Sequence, residues 1–492
     1  MQLFAYSLAD SQHACLIWVG IYGTATPPPI SFRIYQQPVT ATLHSPFSPM
    51  GDQVLDAQQR PLNHRALYSV DWPQTAADTP ALPLTVSAGA PDAANLHSST
   101  ILSTTLRHKP LPRALPSKPD SPFRLLLASC YYQPNDKASA LSQIIAQQKL
   151  QPDLTLLAGD QVYLDLPSLE NLPKARQALA QRFGHKYLQS WFSHSAQPSL
   201  GQLLQMAPVV SLPDDHEFWN NYPLFQAQLL NTHKAADRRN WQQLAGTLFQ
   251  QYQATPDMQR GWQRLDIAPL SILLLDSRTE RSSKNMLSPA CRTALSQWQN
   301  DLLAAQQAGQ PCIGVLSSGQ ALLMSKNGWL KSKVADMELP NFDDFTLLKS
   351  AVETLIRAQI PVIYLTGDVH WGRIVEGKNT QGKVLFYEVI ASPSRLVATI
   401  GADQLSSLRN LFKRQPFPRH PEAAAVPSDF KLADLTFDIK HRQKGDHVAM
   451  LQFQQCPGML EFSVQYVCTD ADARIRQQHS DSYGPYKLHS AQ

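Results

Sequence analysis

Hydrophobic and polar positions divide the chain near residue 120. Ahead of that point, short apolar or β-branched runs at 16–19, 31–35 and 66–70 are set apart by clusters of proline, glycine, serine and asparagine. Such punctuation, with little helical periodicity, predicts an all-β unit in the form of a β-sandwich. Residues 110–119, Pro-Leu-Pro-Arg-Ala-Leu-Pro-Ser-Lys-Pro, read as a semi-extended linker. The sequence therefore predicts an N-terminal β-sandwich domain over 1–118 and a second domain over 119–492.

From residue 123 the pattern alternates between strand and helix. Apolar runs at 124–128, 154–158, 208–212, 272–275, 312–316, 362–366 and 384–390 are short and barely interrupted by polar residues. Runs of that length are strands buried on both faces, as in a parallel sheet. Helical spacing fills the intervals. It groups Leu141, Ile144, Ile145 and Leu150, and it recurs through much of 168–206 and through 225–253. Ser288-Pro289 opens a helix carrying Leu295, Trp298 and Leu302, and 345–358 turns Leu347, Leu348, Val352, Leu355 and Ile356 inward. The alternation predicts an α/β domain. Val448 to Phe453 and Leu460 to Val464 read as a hairpin closing the sheet, and the tail after Gln477 as loose.

Composition excludes several classes. The 492 residues suffice for two domains, and 43% hydrophobic with 17% charged residues describes an ordinary globular chain. A formal charge of +4 is too small at this length to indicate a nucleic-acid or membrane-surface partner. The one basic cluster, Arg409, Lys413, Arg414 and Arg419, reads as a solvated loop ahead of an anion site. The apolar run 14–22 is far too short to span a bilayer. No lysine or arginine precedes Arg33, so no charged leader is evident and a cytoplasmic location is expected. The six cysteines show no Cys-x-x-Cys spacing and read as reduced thiols.

The strand ends change the picture. Run 362–366 exits into Gly367-Asp368-Val369-His370, and 154–158 into Gly159-Asp160-Gln161-Val162-Tyr163. Run 208–212 exits into Pro213-Asp214-Asp215-His216-Glu217, trailed by Asn220 and Asn221. Ser129-Cys130 and Asp276-Ser277-Arg278 end two more. Ligands of open α/β sheets gather beyond the carboxyl ends of strands, so these exits predict a polynuclear metal site. A carboxylate can hold two cations, which makes Asp160 the candidate bridge. Cys130, Tyr163 and His370 would complete one side, where thiolate with phenolate suits a polarising transition metal, ferric iron above all. Asp215, Asn221 (or Asn220) and Asp368 make an oxygen-rich side fit for calcium, magnesium or manganese. Such a pair would activate water as hydroxide and clamp a phosphoryl group. His216 would donate to the leaving oxygen or stabilise developing charge, and Arg278 and Arg281 would grip phosphate oxygens.

Several of these residues carry a second reading. Tyr163 is nearly as well explained as a core tyrosine, and Glu217 is better explained as an acceptor orienting His216 than as a ligand. Trp219 and Trp371 are packing residues before they are substrate platforms, and Asp343 and Asp344 are helix caps before they are ligands. Ser317, Ser318 and Gln320 fit donors behind the ligands and turn residues equally well.

Taken in order, Ser129-Cys130, Gly159-Asp160-x-x-Tyr163, Asp214-Asp215-His216-Glu217 with Asn220-Asn221, Leu275-Asp276-x-Arg278-x-x-Arg281 and Gly367-Asp368-Val369-His370 resemble the motifs of the alkaline phosphatase D (PhoD-like) family of metallophosphoesterases. The resemblance implies a metallophosphoesterase-like α/β/β/α sandwich behind the N-terminal β-sandwich domain, hydrolysis of phosphate mono- or diesters, and an Fe3+ and Ca2+ site. It implies Cys130, Asp160, Tyr163, Asp368 and His370 as ligands, an asparagine of the Asp-Asp-His-Glu stretch beside them, and Arg278 facing phosphate. The expected activity is metal-dependent hydrolysis of a small-molecule phosphate ester. The alternatives are a phosphodiesterase for lipid or nucleotide diesters and an inactive scaffold of the same fold; the retained Asp160 speaks against the scaffold.

Overall fold

The computed structural model describes residues 1–73, 79–89, 101–116, 121–136, 140–167, 172–192, 198–226, 229–326, 338–395, 425–470 and 481–489. Among these, strands form sheets of ten, seven and four. In the largest, Phe123–Ala128, Leu154–Ala158 and Val209–Leu212 run parallel side by side. In the second, Leu270–Leu275, Ile313–Ser317, Val362–Thr366 and Val384–Ile390 do the same. These are the seven apolar runs of the sequence.

Their composition follows from burial on both faces. Leu125, Leu127, Leu154, Leu156, Val210 and Leu212 meet Ile272, Leu274, Ile313, Val315, Ile363 and Leu365 between the two sheets. The outer face of the larger sheet, through Leu126, Leu157 and Val209, packs on Ile144, Phe183 and Trp241. Those three side chains come from helices Ala140–Gln147, Arg176–Trp191 and Ala235–Tyr252. The outer face of the second sheet packs through Leu273, Leu316 and Tyr364 on Trp298, Leu348 and Leu355 of helices Pro289–Gln307 and Phe345–Arg357. The four layers are α/β/β/α.

The N-terminal strands join this frame. Gln2–Leu8, Leu16–Tyr22, His64–Val70 and Ala41–Pro49 extend the ten-stranded sheet, with Gln2–Leu8 parallel to Val209–Leu212. Ile30–Ile34, Gln37–Val39, Leu82–Ala88 and Leu102–His108 form the four-stranded sheet, and the two layers share a core of Ile17, Val19, Phe32, Leu84, Val86 and Leu106. The N-terminal sandwich thus shares one layer with the main sheet. Within the proline-rich stretch, residues 113–115 are pinned to the second domain: Leu115 N–H donates to Ala268 O at 2.8 Å and Ala268 N–H to Arg113 O at 2.9 Å.

Two local expectations shift. The helix expected over 225–253 begins only at Ala235, because the Thr232 hydroxyl spends itself on the Gln226 and Leu229 carbonyls in the preceding turn. The described part of the tail is ordered by pairing: Ser482–His489 lies antiparallel to Met459–Cys468 with Leu488 buried. His447–Cys456 and Met459–Cys468 form the expected hairpin, which docks on Phe123–Ala128. The basic cluster at Arg409 to Arg419 lies outside the described residues. All six cysteines are free, and no described helix is long and apolar enough to cross a membrane.

Burial sets one pH dependence of the fold. His108, its Nε2 2.8 Å from Ala14 O, and His447, its Nδ1 2.7 Å from Gly445 O, are both held down to about 4 by burial. Unfolded, each takes a proton near pH ~6.5, so its stabilisation is present above that value and is lost as pH falls toward 4. Lowering the pH from 7 to 5 is expected to cost about 2 kcal/mol per histidine. Urea denaturation of the protein and of His108→Gln at the two pH values checks this; the variant's pH slope should be shallower by that amount.

Candidate metal centre

Each of the seven parallel strands that match the apolar runs delivers its carboxyl end to one rim, and the loops that leave it carry the polar residues. Close approach of the loops there, between the sheets at Gly367 and within the larger sheet at Gly159, is made possible by glycine. A Cβ at Gly367 would stand 2.2 Å from the Ser129 side chain, and one at Gly159, where φ is +100°, would stand 2.5 Å from the Asp214 Cβ. The structure brings together Cys130, Asp160 and His370 in one group, Asp160, Asp215 and His216 in a second, and Asp160, Asp214, Asp215 and Asp368 in a third. Within each group the ligand atoms lie within 4.8 Å of one another, and Asp160 is common to all three. Cys130 Sγ is 3.5 Å from Asp160 Oδ2 and receives the Ser392 hydroxyl at 3.3 Å.

Backbone conformation aims these side chains. Cys130, Asp160, Asn221, Asp368 and His370 sit at φ of 54°, 60°, 64°, 68° and 59°, the left-handed region that residues with a Cβ seldom occupy. Each such residue costs on the order of 1 kcal/mol, which the surrounding packing must offset. A sharp left-handed turn directly after a strand points the side chain along the sheet axis, over the rim, instead of to either face.

Three networks hold the loops. Glu217 is the hub of the first. Its Oε2 accepts the backbone N–H of Asp160 and of Asp214, each at 2.9 Å, and its Oε1 accepts Gln161 N–H at 2.7 Å and Val162 N–H at 3.2 Å. It therefore ties two ligand loops together through their backbones, not through the His216 ring as the sequence suggested. In the second, Arg278 is fully buried and its Nε donates to Asp214. In the third, Arg281 donates to Ser277 O at 2.8 Å and to Gln320 Oε1 at 2.6 Å, and Gln320 donates on to Asp368 Oδ2 at 3.1 Å. Gln320 is thus a donor behind Asp368. Asp344 occupies a helix cap position, yet its carboxylate turns away to accept Met286 and Leu287 N–H, each at 2.9 Å.

Asp165 and Asp214 were given no role by sequence reasoning. Asp165 Oδ1 lies 2.7 Å from His216 Nδ1, and Asp214 answers Arg278. The available signal was a second acid in each loop, five residues after Asp160 and one before Asp215. Asp215 Oδ2 accepts Asn221 N–H at 2.8 Å. Trp219 and Trp371 are buried and pack, Trp219 against Tyr222 and Trp241 and Trp371 beneath the Arg373 guanidinium.

The electrostatics call for cations. Burial pushes the Cys130 thiol well up, and the Asp160 and Asp368 carboxylates push it further. Asp160 is held well above the ordinary carboxylate range by burial, eased by His216 and reinforced by Asp215 and Asp214. Burial raises Tyr163 likewise, with Cys130 and Asp160 beside it. His216 is raised although burial opposes its charge, because Asp165, Asp215 and Asp160 outweigh that burial. A bound cation reverses each of these pressures. The Asn221 side-chain oxygen is buried and receives no hydrogen bond from the described residues, as suits an amide oxygen left for a hard ion. Thiol, imidazole and carboxylate donors gathered in this way fit the binding of metal.

Two facing sheets with acidic loops converging at a common rim define a metallophosphoesterase-like protein. The model of the PhoD-like phosphatase family matches residues 125–409, and the chain belongs to that family. Among solved structures, one titled "Structure of PhoD" is similar at a TM-score of 0.56 and 12% identity, covering 99% of this chain and 92% of that one. A second, titled "GAP50 the anchor in the inner membrane complex of Plasmodium", aligns at a TM-score of 0.35 and 8% identity over 75% of this chain and 89% of that one, too low to bear on fold or function. No curated protein matches this chain.

Two outcomes follow from the networks. Glu217→Gln turns an amide N–H₂ toward backbone donors and should cost about 3 kcal/mol, read by urea denaturation, with metal content falling in step. Adding metal to metal-free protein in weak buffer should release protons, since groups protonated in the metal-free fold must ionise to bind. Affinity should accordingly rise with pH, which calorimetry in buffers of different ionisation enthalpy measures.

Proposed function

We propose that the chain hydrolyses phosphate esters at a metal pair bridged by Asp160. The observation that carries this reading is the meeting of three ligand groups at that one carboxylate. Membership of a phosphatase family supports the ester as substrate. In this reading Cys130, Tyr163 and His370 join Asp160 around ferric iron, and Asp215, Asn221 and Asp368 join it around calcium, following the split between thiol, phenol and imidazole donors and oxygen donors. The metals, when bound, supply Lewis acidity and positive charge for a phosphoryl group in transit.

The protein's own groups do the remaining work. Glu217 fixes the spacing of the Asp160 and Asp215 loops, so the ligands need not reorganise during turnover. Arg278 keeps Asp214 at its Nε, and we assign its positive charge to the phosphoryl group. Arg281, tied to Ser277 and Gln320, supports Asp368 from behind and adds positive charge on the same side. His216 supplies a proton at the centre, its side chain 13% exposed. The partner is a small-molecule phosphate ester.

Two measurements test the reading. Protein purified without added metal should hydrolyse an aryl phosphate monoester or its diester only after iron and calcium are supplied, and a chelator should stop it. The monoester to diester ratio decides between phosphatase and phosphodiesterase. Asp160→Asn should lower kcat by more than about 100-fold with far-ultraviolet circular dichroism unchanged, since supporting groups alone cost 10–100-fold. Turnover preserved in that variant would remove the bridge.

A further inference from the structure

Strand Val384–Ile390 ends at the same rim as its neighbours, yet its exit, Ala391-Ser392-Pro393-Ser394, supplies no acid, histidine or cysteine there. We propose that Ser392 is a positioning residue of the metal centre. It holds Cys130 and His370 together across the seam of the two sheets, and its hydroxyl moderates the electron donation of the Cys130 sulfur. The inference rests on the reading of Cys130 as a ligand given above.

Both capacities of the Ser392 hydroxyl are spent on those two residues. Ser392 is fully buried; its proton goes to Cys130 Sγ at 3.3 Å, and its oxygen accepts His370 N–H at 3.1 Å. Cys130 follows a strand of the larger sheet and His370 a strand of the second, and both sit at positive φ. One side chain therefore pins two backbone turns that have little conformational preference of their own.

The serine is itself fixed from every side. Its N–H donates to His447 Nε2 at 3.3 Å, and that nitrogen is an acceptor because His447 Nδ1 is committed to Gly445 O at 2.7 Å. His447 N–H returns to Pro393 O at 2.7 Å. The flanking residues are zipped to the turn that carries the cysteine. The Ser129 hydroxyl donates to Ala391 O at 2.8 Å, Ser394 N–H and its hydroxyl donate to Ser129 O at 2.8 and 2.7 Å, and Arg395 N–H donates to Cys130 O at 3.1 Å.

The direction of the effect follows from the sulfur's surroundings. Asp160 Oδ2 at 3.5 Å and Asp368 O at 3.7 Å offer the sulfur only acceptors. A hydroxyl donor draws electron density from the sulfur, as hydrogen bonds to ligating sulfurs do when they tune a metal. Weaker donation by the sulfur leaves a bound cation more electrophilic, which favours polarisation of a phosphoryl oxygen.

Cobalt(II) reports the sulfur directly. A thiolate bound to it gives a charge-transfer absorption whose energy falls as the sulfur becomes a stronger donor. Cys130→Ser should abolish that band in the cobalt-loaded protein. Ser392→Ala should keep the band but move it to longer wavelength, with cobalt affinity lowered by about 10–100-fold. Ser392→Thr, which retains the hydroxyl, should return the band to its wild-type position. A band that stays in place in Ser392→Ala overturns the proposal even where affinity falls, since loss of packing alone would weaken binding without changing the sulfur. Should Ser392→Ala fail to fold, the wild-type protein refolded in D2O replaces it: the metal–sulfur stretching frequency should shift on deuteration, and an unchanged frequency overturns the proposal. A wild-type protein with no band that depends on Cys130 overturns the ligand assignment and this inference with it. Hydrolysis of phosphate esters by the same preparation then reads the phosphatase proposal separately.

Discussion

Negative charge buried at the seam of two sheets is the constraint on which the rest of the structure depends. Asp160, Asp214, Asp215, Glu217 and the Cys130 thiol are all nearly inaccessible, and the ionised form of each is penalised by burial unless a donor or cation answers it. The fold answers in three ways. Backbone N–H groups converge on Glu217, the Arg278 guanidinium meets Asp214, and protons or metal ions serve the remainder. Left-handed turns and closely approaching strands are the means by which so many acids reach one place. Remove the compensation and the same packing works against the folded state.

The site is shared between the sheets. Cys130, Asp160 and Asp215 leave the larger sheet, while Asp368, His370 and the Gln320 that supports Asp368 leave the second. Cations held between them therefore act on the same seam that Leu127, Leu156, Ile272 and Ile363 close with apolar contact. Metal affinity and the stability of the sheet interface are one linked quantity.

The parts legible in the sequence are those written in side-chain pattern. Apolar runs gave the seven parallel strands, and glycines or acids at several exits, with Cys130 at another, marked the rim, so Cys130, Asp160, Asp215 and His370 could be grouped from the sequence. Contacts made by backbone were invisible. Glu217 looked like a partner for its neighbour His216 because nothing in a one-dimensional pattern shows four N–H groups turning toward one carboxylate. The pairing of Arg278 with Asp214 was hidden because the two are distant in sequence. The joining of the N-terminal strands to the main sheet, and the return of Ser482–His489 to its edge, are likewise matters of backbone pairing. Asp165 went unnoticed since its contact with His216 depends on a loop conformation fixed by Lys186 from another element.

The pairing of Phe123–Ala128 with His447–Cys456 has a consequence for biosynthesis. On the ribosome, the strand that ends at Cys130 keeps an open edge until the C-terminal hairpin has emerged, and Asp368 and His370 arrive long after Asp160 and Asp215. Asp160 and Asp215 are thus made before the half of the site that faces them, and the seam between the sheets closes only after both halves have been synthesised.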